Sequence, residues 1–278
     1  MTDMAVAGRQ AVGAAAPWIV RAARLGYVAK GVVYLVIGTL AARAALGDGG
    51  GTTDSRGALR AIGESTMGSA ALLVIGVGLL GYALWAVLAA AWDAEDRGRE
   101  PKGIAIRLGQ AGRGIAYGAL GVAALRLLGR ARSAASGGDG AEHWTARLLD
   151  APLGRWLVVA VGAAIAGYAL YQFYRAASDK VHKHLDLGGA GARTRTWVER
   201  LGRFGIAARG IVFVLVGWFL VRAAMTHDPS RAGGIGESLA TLARQPRGEL
   251  LLGVVAAGLV AYGAYQLANA RFRRMRVT

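Results

Sequence analysis

Six basic residues sit inside otherwise apolar stretches as pairs thirteen residues apart: Lys30 with Arg43, Arg113 with Arg126, and Arg209 with Arg222. Thirteen residues of helix rise about 20 Å, less than the ~30 Å hydrocarbon core of a bilayer. One reading is a helix anchored at both ends, its long cationic side chains reaching toward each interface. The other is a ring of three cations at one depth that holds an anionic lipid headgroup or an anionic solute. A free charge in the bilayer is costly unless paired, and no acidic residue lies deep in these stretches. A carboxylate–arginine proton relay is therefore missing, which weakens proton-coupled mechanisms.

Glycines seven apart accompany the basic residues: Gly31/Gly38, Gly114/Gly121 and Gly210/Gly217. Seven residues is nearly two turns, so each pair lies on one helix face. Small residues let membrane helices approach closely, and the pairs read as packing faces with Tyr34, Tyr117 and Phe213 beside them. Gln172 and Gln266 take matching places that Ala86 fills elsewhere; interhelical hydrogen bonds and a polar cavity both fit. Trp18, Arg21 and Arg24 share a W-x-x-R-x-x-R spacing with Trp197, Arg200 and Arg203. Trp favours the headgroup level and basic residues attract anionic lipid, so both segments read as amphipathic interfacial helices.

Other chemistry has little to stand on. The chain has no cysteine, which excludes disulfides, thiolate catalysis, iron–sulfur clusters and cysteine zinc sites. His182 with His184, and Glu142 with His143, are too sparse for a metal site. Asp93, Asp179 and Arg273 end three helices and read as interfacial pairing. The terminal Arg271, Arg273, Arg274 and Arg276 read as a positive stop after a span, not a nucleic-acid contact. Phosphate loops, nucleophile elbows and HExxH patterns are lacking. No enzymatic activity, metal or cofactor is expected.

The elements that must position these residues follow from composition. The 278 residues are 54% hydrophobic and 18% charged, with a net charge of +16 and a mean hydropathy of +0.38. A chain both apolar and basic divides its residues between two solvents, as an integral membrane protein does. Six stretches are long enough to span: about 27–46, 69–92, 110–129, 155–177, 204–226 and 249–270. Pro17, Pro101, Pro152, Pro229 and Pro246 all lie outside them, against the broken helices of ion-coupled transporters. The first twenty residues have no continuous apolar core, so the first helix is the expected targeting signal.

A repeat organises the spans. RLGYVAKGVVY (24–34), RLGQAGRGIAY (107–117) and RFGIAARGIVF (203–213) share one register. Tyr82, Tyr168 and Tyr262 also align, each followed three residues later by Trp85, Tyr171 or Tyr265 and preceded fourteen earlier by Gly68, Gly154 or Gly248. Two spans per repeat bring every repeat in from the same side, so the repeats are parallel. The expected fold is all-α and integral to the membrane: six transmembrane helices as three parallel two-helix repeats around a pseudo-threefold axis. An N-terminal segment (1–17) precedes repeats at 18–97, 98–182 and 183–278, with bends between them near 93–106 and 178–202.

These motifs resemble a bacterial membrane family classed as domain of unknown function 1206. Its tandem two-helix units carry R-x-G-x-x-[AG]-[KR]-G-x-x-[YF] and a later G-Y-A-x-[WY]. Here the second motif is Gly81–Trp85, Gly167–Tyr171 and, with Ala261 and Gly263 departing from it, Ala261–Tyr265. The resemblance implies six transmembrane helices and brings no activity, cofactor or catalytic residue.

Charge sets the expected orientation. The side with both termini and the inter-repeat loops carries 21 Lys/Arg against 8 acids; the hairpin loops carry 12 against 9. Both termini are expected in the cytoplasm, across a bacterial plasma membrane, with anionic lipids of that side as partners. Nucleic acid is not an expected partner, while a protein partner or a second copy stays open. The functional expectation is a packed membrane scaffold or partner-binding protein; the alternative is a channel or carrier for a small solute, with anions among the candidates.

Overall fold

Long apolar segments fold as helices because a backbone without water must satisfy its own hydrogen bonds. The computed structural model describes residues 2–91, 100–129, 140–178, 185, 187, 189 and 191–273, without the side chains of 2–19, 101, 102, 105 and 140. The Trp18 side chain, Asp93, Asp179, His182, His184, Arg274, Arg276 and much of both inter-repeat bends therefore lie outside what is described. Nine α-helices follow in order among the described residues. Six are long: α1 (Thr2–Ala45), α3 (Gly68–Ala91), α4 (Pro101–Gly129), α6 (Gly154–Ala177), α7 (Ala192–Thr226) and α9 (Gly248–Phe272).

Five of these contain a segment long and apolar enough to cross a membrane: Val20–Ala45, Gly68–Ala91, Gly154–Ala177, Ala192–Thr226 and Gly248–Phe272. The expected span at 110–129 lies within α4, a continuous helix that falls short of that standard. Its glycines, Gln110 and Arg113 dilute its apolar side chains. Trp197, Arg200 and Arg203 do not form a separate interfacial helix. They belong to the uninterrupted α7 and extend the spanning helix beyond its apolar part. Nothing between Trp197 and Phe204 removes an amide or a turn.

Each repeat also holds a short helix between its long ones: α2 (Ser55–Gly63), α5 (Gly140–Leu149) and α8 (Ile235–Ala243). Asp54 starts α2 by accepting the amides of Arg56 and Gly57 at 3.0 and 2.8 Å, groups a helix start otherwise leaves unpaired. The short helix then turns tightly into the next long one. Gly68, Gly154 and Gly248 open α3, α6 and α9 beneath the carbonyls of Gly63, Leu148 and Ala243, where a Cβ would collide. That contact explains a glycine fourteen residues before each conserved-register tyrosine of this chain.

The long helices pack in the order α4, α3, α1, α9, α7, α6. Three of these contacts join different repeats (α3 to α4, α9 to α1, α6 to α7), and two join helices of one repeat (α1 to α3, α7 to α9). The third contact of that second kind, α4 with α6, is all but missing.

Glycine register determines the contacts between repeats. A Cβ built on Gly38 would lie 2.9 Å from the Ala256 carbonyl, on Gly121 3.0 Å from that of Gly76, and on Gly217 2.8 Å from that of Gly162. Ala256, Gly76 and Gly162 occupy one register position. One helical stretch along, Gly31, Gly114 and Gly210 meet Leu267, Val87 and Phe173, again one register position. No hydrophobic force separates helix from lipid, so close van der Waals approach has to supply the attraction. Side chains such as Leu73, Val74, Val77 and Leu251 stay exposed on the outer faces, as lipid-facing residues do.

Candidate functional site

The first of each pair of basic residues points inward. Lys30 and Arg209 are 5% and 6% exposed, and Arg113 is half-buried. The second of each pair, Arg43, Arg126 and Arg222, is exposed near the hairpin end of its helix; Arg43 Nη2 donates to the Asp48 carbonyl at 2.9 Å. Each pair is thus split between the bundle interior and the surface.

Aromatic rings from all six long helices surround the inner cations. They come as three edge-to-face pairs across the contacts between repeats: Tyr34 with Tyr262 at 4.8 Å, Tyr117 with Tyr82 at 5.3 Å, and Phe213 with Tyr168 at 5.9 Å. The same two register positions meet in every pair. Lys30 Nζ lies 4.5 Å from the Tyr117 ring centre and 5.5 and 5.9 Å from those of Tyr82 and Tyr262. The Arg209 guanidinium lies 4.4 Å from Phe213 and 5.0 Å from Tyr262. Its Nε donates to the Tyr34 hydroxyl at 3.0 Å and its Nη1 to the Tyr168 hydroxyl at 3.3 Å. Arg113 Nε donates to the Gly109 carbonyl one turn back, at 3.1 Å.

This cage has donors in excess. Among the described residues no carboxylate pairs with Lys30, Arg113 or Arg209; ion pairs such as Arg195–Glu199, Arg231–Asp228 and Arg244–Glu237 lie near helix ends and loops. The Tyr34 and Tyr168 hydroxyls accept from Arg209, and the Tyr262 hydroxyl accepts from Gln266 Nε2 at 2.7 Å. Each therefore keeps its own proton to donate. A cation over a ring gains about 0.5–2 kcal/mol, against several kcal/mol for taking an ion out of water. Unneutralised cations beside hydroxyls with protons to give are the chemistry that would pair with an anionic acceptor, such as a phosphate or carboxylate.

The remaining polar positions divide. Gln172 and Gln266 are both buried, at 1% and 3% exposure. Gln266 joins a network in which Asn269 Nδ2 donates to its Oε1 at 3.2 Å and to the Tyr265 carbonyl at 2.8 Å. Gln172 Oε1 has no hydrogen-bond partner among the described residues. Arg21, Arg24, Trp197 and Arg200 are exposed and Arg203 half-buried, all on α1 and α7 before the cage, with Arg24 and Arg203 six residues ahead of Lys30 and Arg209. His143 and Glu142 lie on α5, and no three metal-ligating side chains cluster among the described residues.

Two contacts are not legible in the residue pattern. Arg107 donates to the Ala90 and Ala91 carbonyls at 2.7 and 2.9 Å, ending α3. Arg273 lies 5.2 Å from the Tyr27 ring and 5.9 Å from that of Trp85, bringing the end of the last repeat onto the first. Gln110 on α4 and Ile206 on α7 hold the register position of Tyr27, and all three are buried. An aromatic there in one repeat alone was the signal available.

Known proteins give a family and no activity. An uncharacterized protein of Bacillus subtilis (strain 168), YxxB, is 36% identical over 259 residues, covering 93% of each chain. No solved structure matches. The family described as Domain of Unknown Function (DUF1206) matches three times, at residues 25–93, 108–179 and 204–273. With three tandem units in one register and a relative alike over nearly its whole length, this chain belongs to the DUF1206 family.

Proposed function

We propose that this protein binds a small anionic group, a phosphate ester above all, in the cage at the centre of a six-helix bundle. In this reading α4 is the sixth transmembrane helix and the repeats surround a pseudo-threefold axis. Both termini face the cytoplasm across a bacterial plasma membrane, as the excess of Lys/Arg on that side suggests. The observation that carries the proposal is that Lys30 and Arg209 are buried with no carboxylate among the described residues, while three tyrosine hydroxyls beside them retain donors. Free solute and lipid headgroup share this chemistry. A second reading, a packed scaffold for a protein partner, draws on the glycine contacts between repeats; those contacts also serve to hold the cage.

The test is thermal unfolding of the purified full chain in a neutral detergent, with glycerol phosphate, dioctanoyl phosphatidylglycerol or dioctanoyl phosphatidylcholine. A ligand that binds the folded state alone stabilises it by about 2.7 kcal/mol at a hundred times its Kd. At least one anion should raise the midpoint by several degrees over phosphatidylcholine in the native chain and not in Arg209→Gln or Lys30→Gln. Indistinguishable midpoints with all three compounds would remove the anion-site reading and leave the scaffold.

A further inference from the structure

Repeats one and three close their two long helices on each other; repeat two does not. The equivalent positions show it residue by residue. Gly26 packs on Tyr82 of α3 and Gly205 on Tyr262 of α9, but Gly109 of α4 has nothing within 4 Å of where a Cβ would stand. Gly78 meets Ala29 and Gly258 meets Ala208, whereas their counterparts Gly112 and Ala164 are both exposed. Trp85 and Tyr265 are 7% and 5% exposed; Tyr171 is 54% exposed. Gly167, Leu170, Tyr171 and Tyr174 share one face of α6, and Leu108, Gly112 and Ile115 one face of α4, all exposed.

Building on the anion-site reading, we infer that the opening between α4 and α6 admits an anionic glycerophospholipid sideways from the bilayer, its phosphate reaching Arg113 and the cage and its acyl chains lying along the two apolar faces. Charge and polarity select this occupant. Arg113 folds back along the Gly109 side of α4, so the opening has a guanidinium at depth between Leu108 and Ile115. A second copy of this chain offers no carboxylate at mid-span to meet it. A lipid brings the negative group and the apolar tail in one molecule. The glycine that closes the other hairpins as Gly26 and Gly205 is retained here as Gly109 and left open, which leaves width for a chain.

The experiment places the full chain in phosphatidylcholine nanodiscs containing phosphatidylglycerol or phosphatidylcholine with a diazirine on one acyl chain. After photolysis, adducts are mapped by mass spectrometry. Phosphatidylglycerol should label 108–115 and 167–174 at least five-fold more than phosphatidylcholine, and Arg113→Gln should remove most of that excess. Gly112→Phe, which fills open space and alters no charge, should remove it as well in a chain that unfolds at the native temperature. Equal labelling by the two lipids overturns the inference, as does an excess that survives both variants. An interchain disulfide from Gly112→Cys in the cysteine-free chain would assign the opening to a second copy and overturn it too. If glycerol phosphate stabilises the chain through Arg209 while no phosphatidylglycerol excess appears, the cage binds a soluble anion: the lipid route fails and the site stands.

Discussion

The second hairpin and its two neighbours are built from the same motif and pack differently. In the first and third, a glycine of the odd helix lies against the tyrosine of the even helix; in the second, Gly109 and Tyr168 belong to helices that scarcely touch. The contacts between repeats, by contrast, are alike in all three places, glycine against carbonyl. The lesson is that the two kinds of interface are independent. The contacts between repeats hold the bundle together and bring the aromatic pairs to the cage, so one hairpin can stand open without dispersing them.

The largest effect should come from filling the glycines. Gly205→Leu drives a side chain into the α9 backbone at Tyr262 and should cost about 3 kcal/mol or more, whereas Gly109→Leu should stay within roughly 1 kcal/mol. Thermal unfolding in detergent checks both, and equal losses would break the comparison. Gly217→Leu should also be damaging but less so than Gly205→Leu, because a Cβ there would stand 2.8 Å from the Gly162 carbonyl, a wider clearance than Gly205 has at the Tyr262 backbone.

A smaller contrast concerns aromatics in one register. Tyr265→Ala empties a buried site and should cost about 3 kcal/mol, the usual range for a large aromatic; Tyr171→Ala should cost under about 1 kcal/mol. Crosslinking sharpens the same point without energies. Ala29→Cys with Gly78→Cys, 3.4 Å apart at their Cβ atoms, should form a disulfide on mild oxidation, at the cost of a small shift of the Leu25 carbonyl, 2.9 Å from the new Cβ. Gly112→Cys with Ala164→Cys should not form one unless the second hairpin closes.

Substitution inside the cage should barely change stability. Arg209→Gln removes two hydrogen bonds to tyrosines and also an unpaired buried charge, and these effects oppose each other. A net change within about 1 kcal/mol, with loss of anion-dependent stabilisation, is the expected pattern in the same melts.

The smallest effect lies in the third hairpin loop. Ser230 and then Arg231 hydrogen-bond the exposed Asp228 carboxylate, holding it below the usual Asp range. A lowered folded value means the contribution is present above the unfolded pKa and is lost as pH falls through the folded one. Acid titration of loop amide exchange should show Asp228→Asn abolishing a small loosening below about pH 4.

Much of the architecture was legible in the chain itself. Apolar length predicts the spans because lipid offers backbone groups no alternative partner, and the register of glycine, cation and aromatic predicts three units. The inner cations were legible as a set, but not their separation from Arg43, Arg126 and Arg222. Thirteen residues place two side chains at different heights and say little about which one the neighbouring helices enclose. The helices α2, α5 and α8 read as loops because nine or ten residues carry too few periodic apolar positions, although Asp54 ahead of Ser55 was a visible start signal.

By itself the sequence determined helices, repeat register, the charge imbalance and a shortage of acids able to neutralise Lys30 and Arg209. Tertiary structure alone decided that six rings converge on those cations and that the second hairpin stands open. The physical reason is that a helix in lipid gains little by burying one apolar face in preference to another. Which faces meet depends on steric fit summed over many positions, and Gly109 and Gly112 have the same form whether or not a neighbour fills the space beside them.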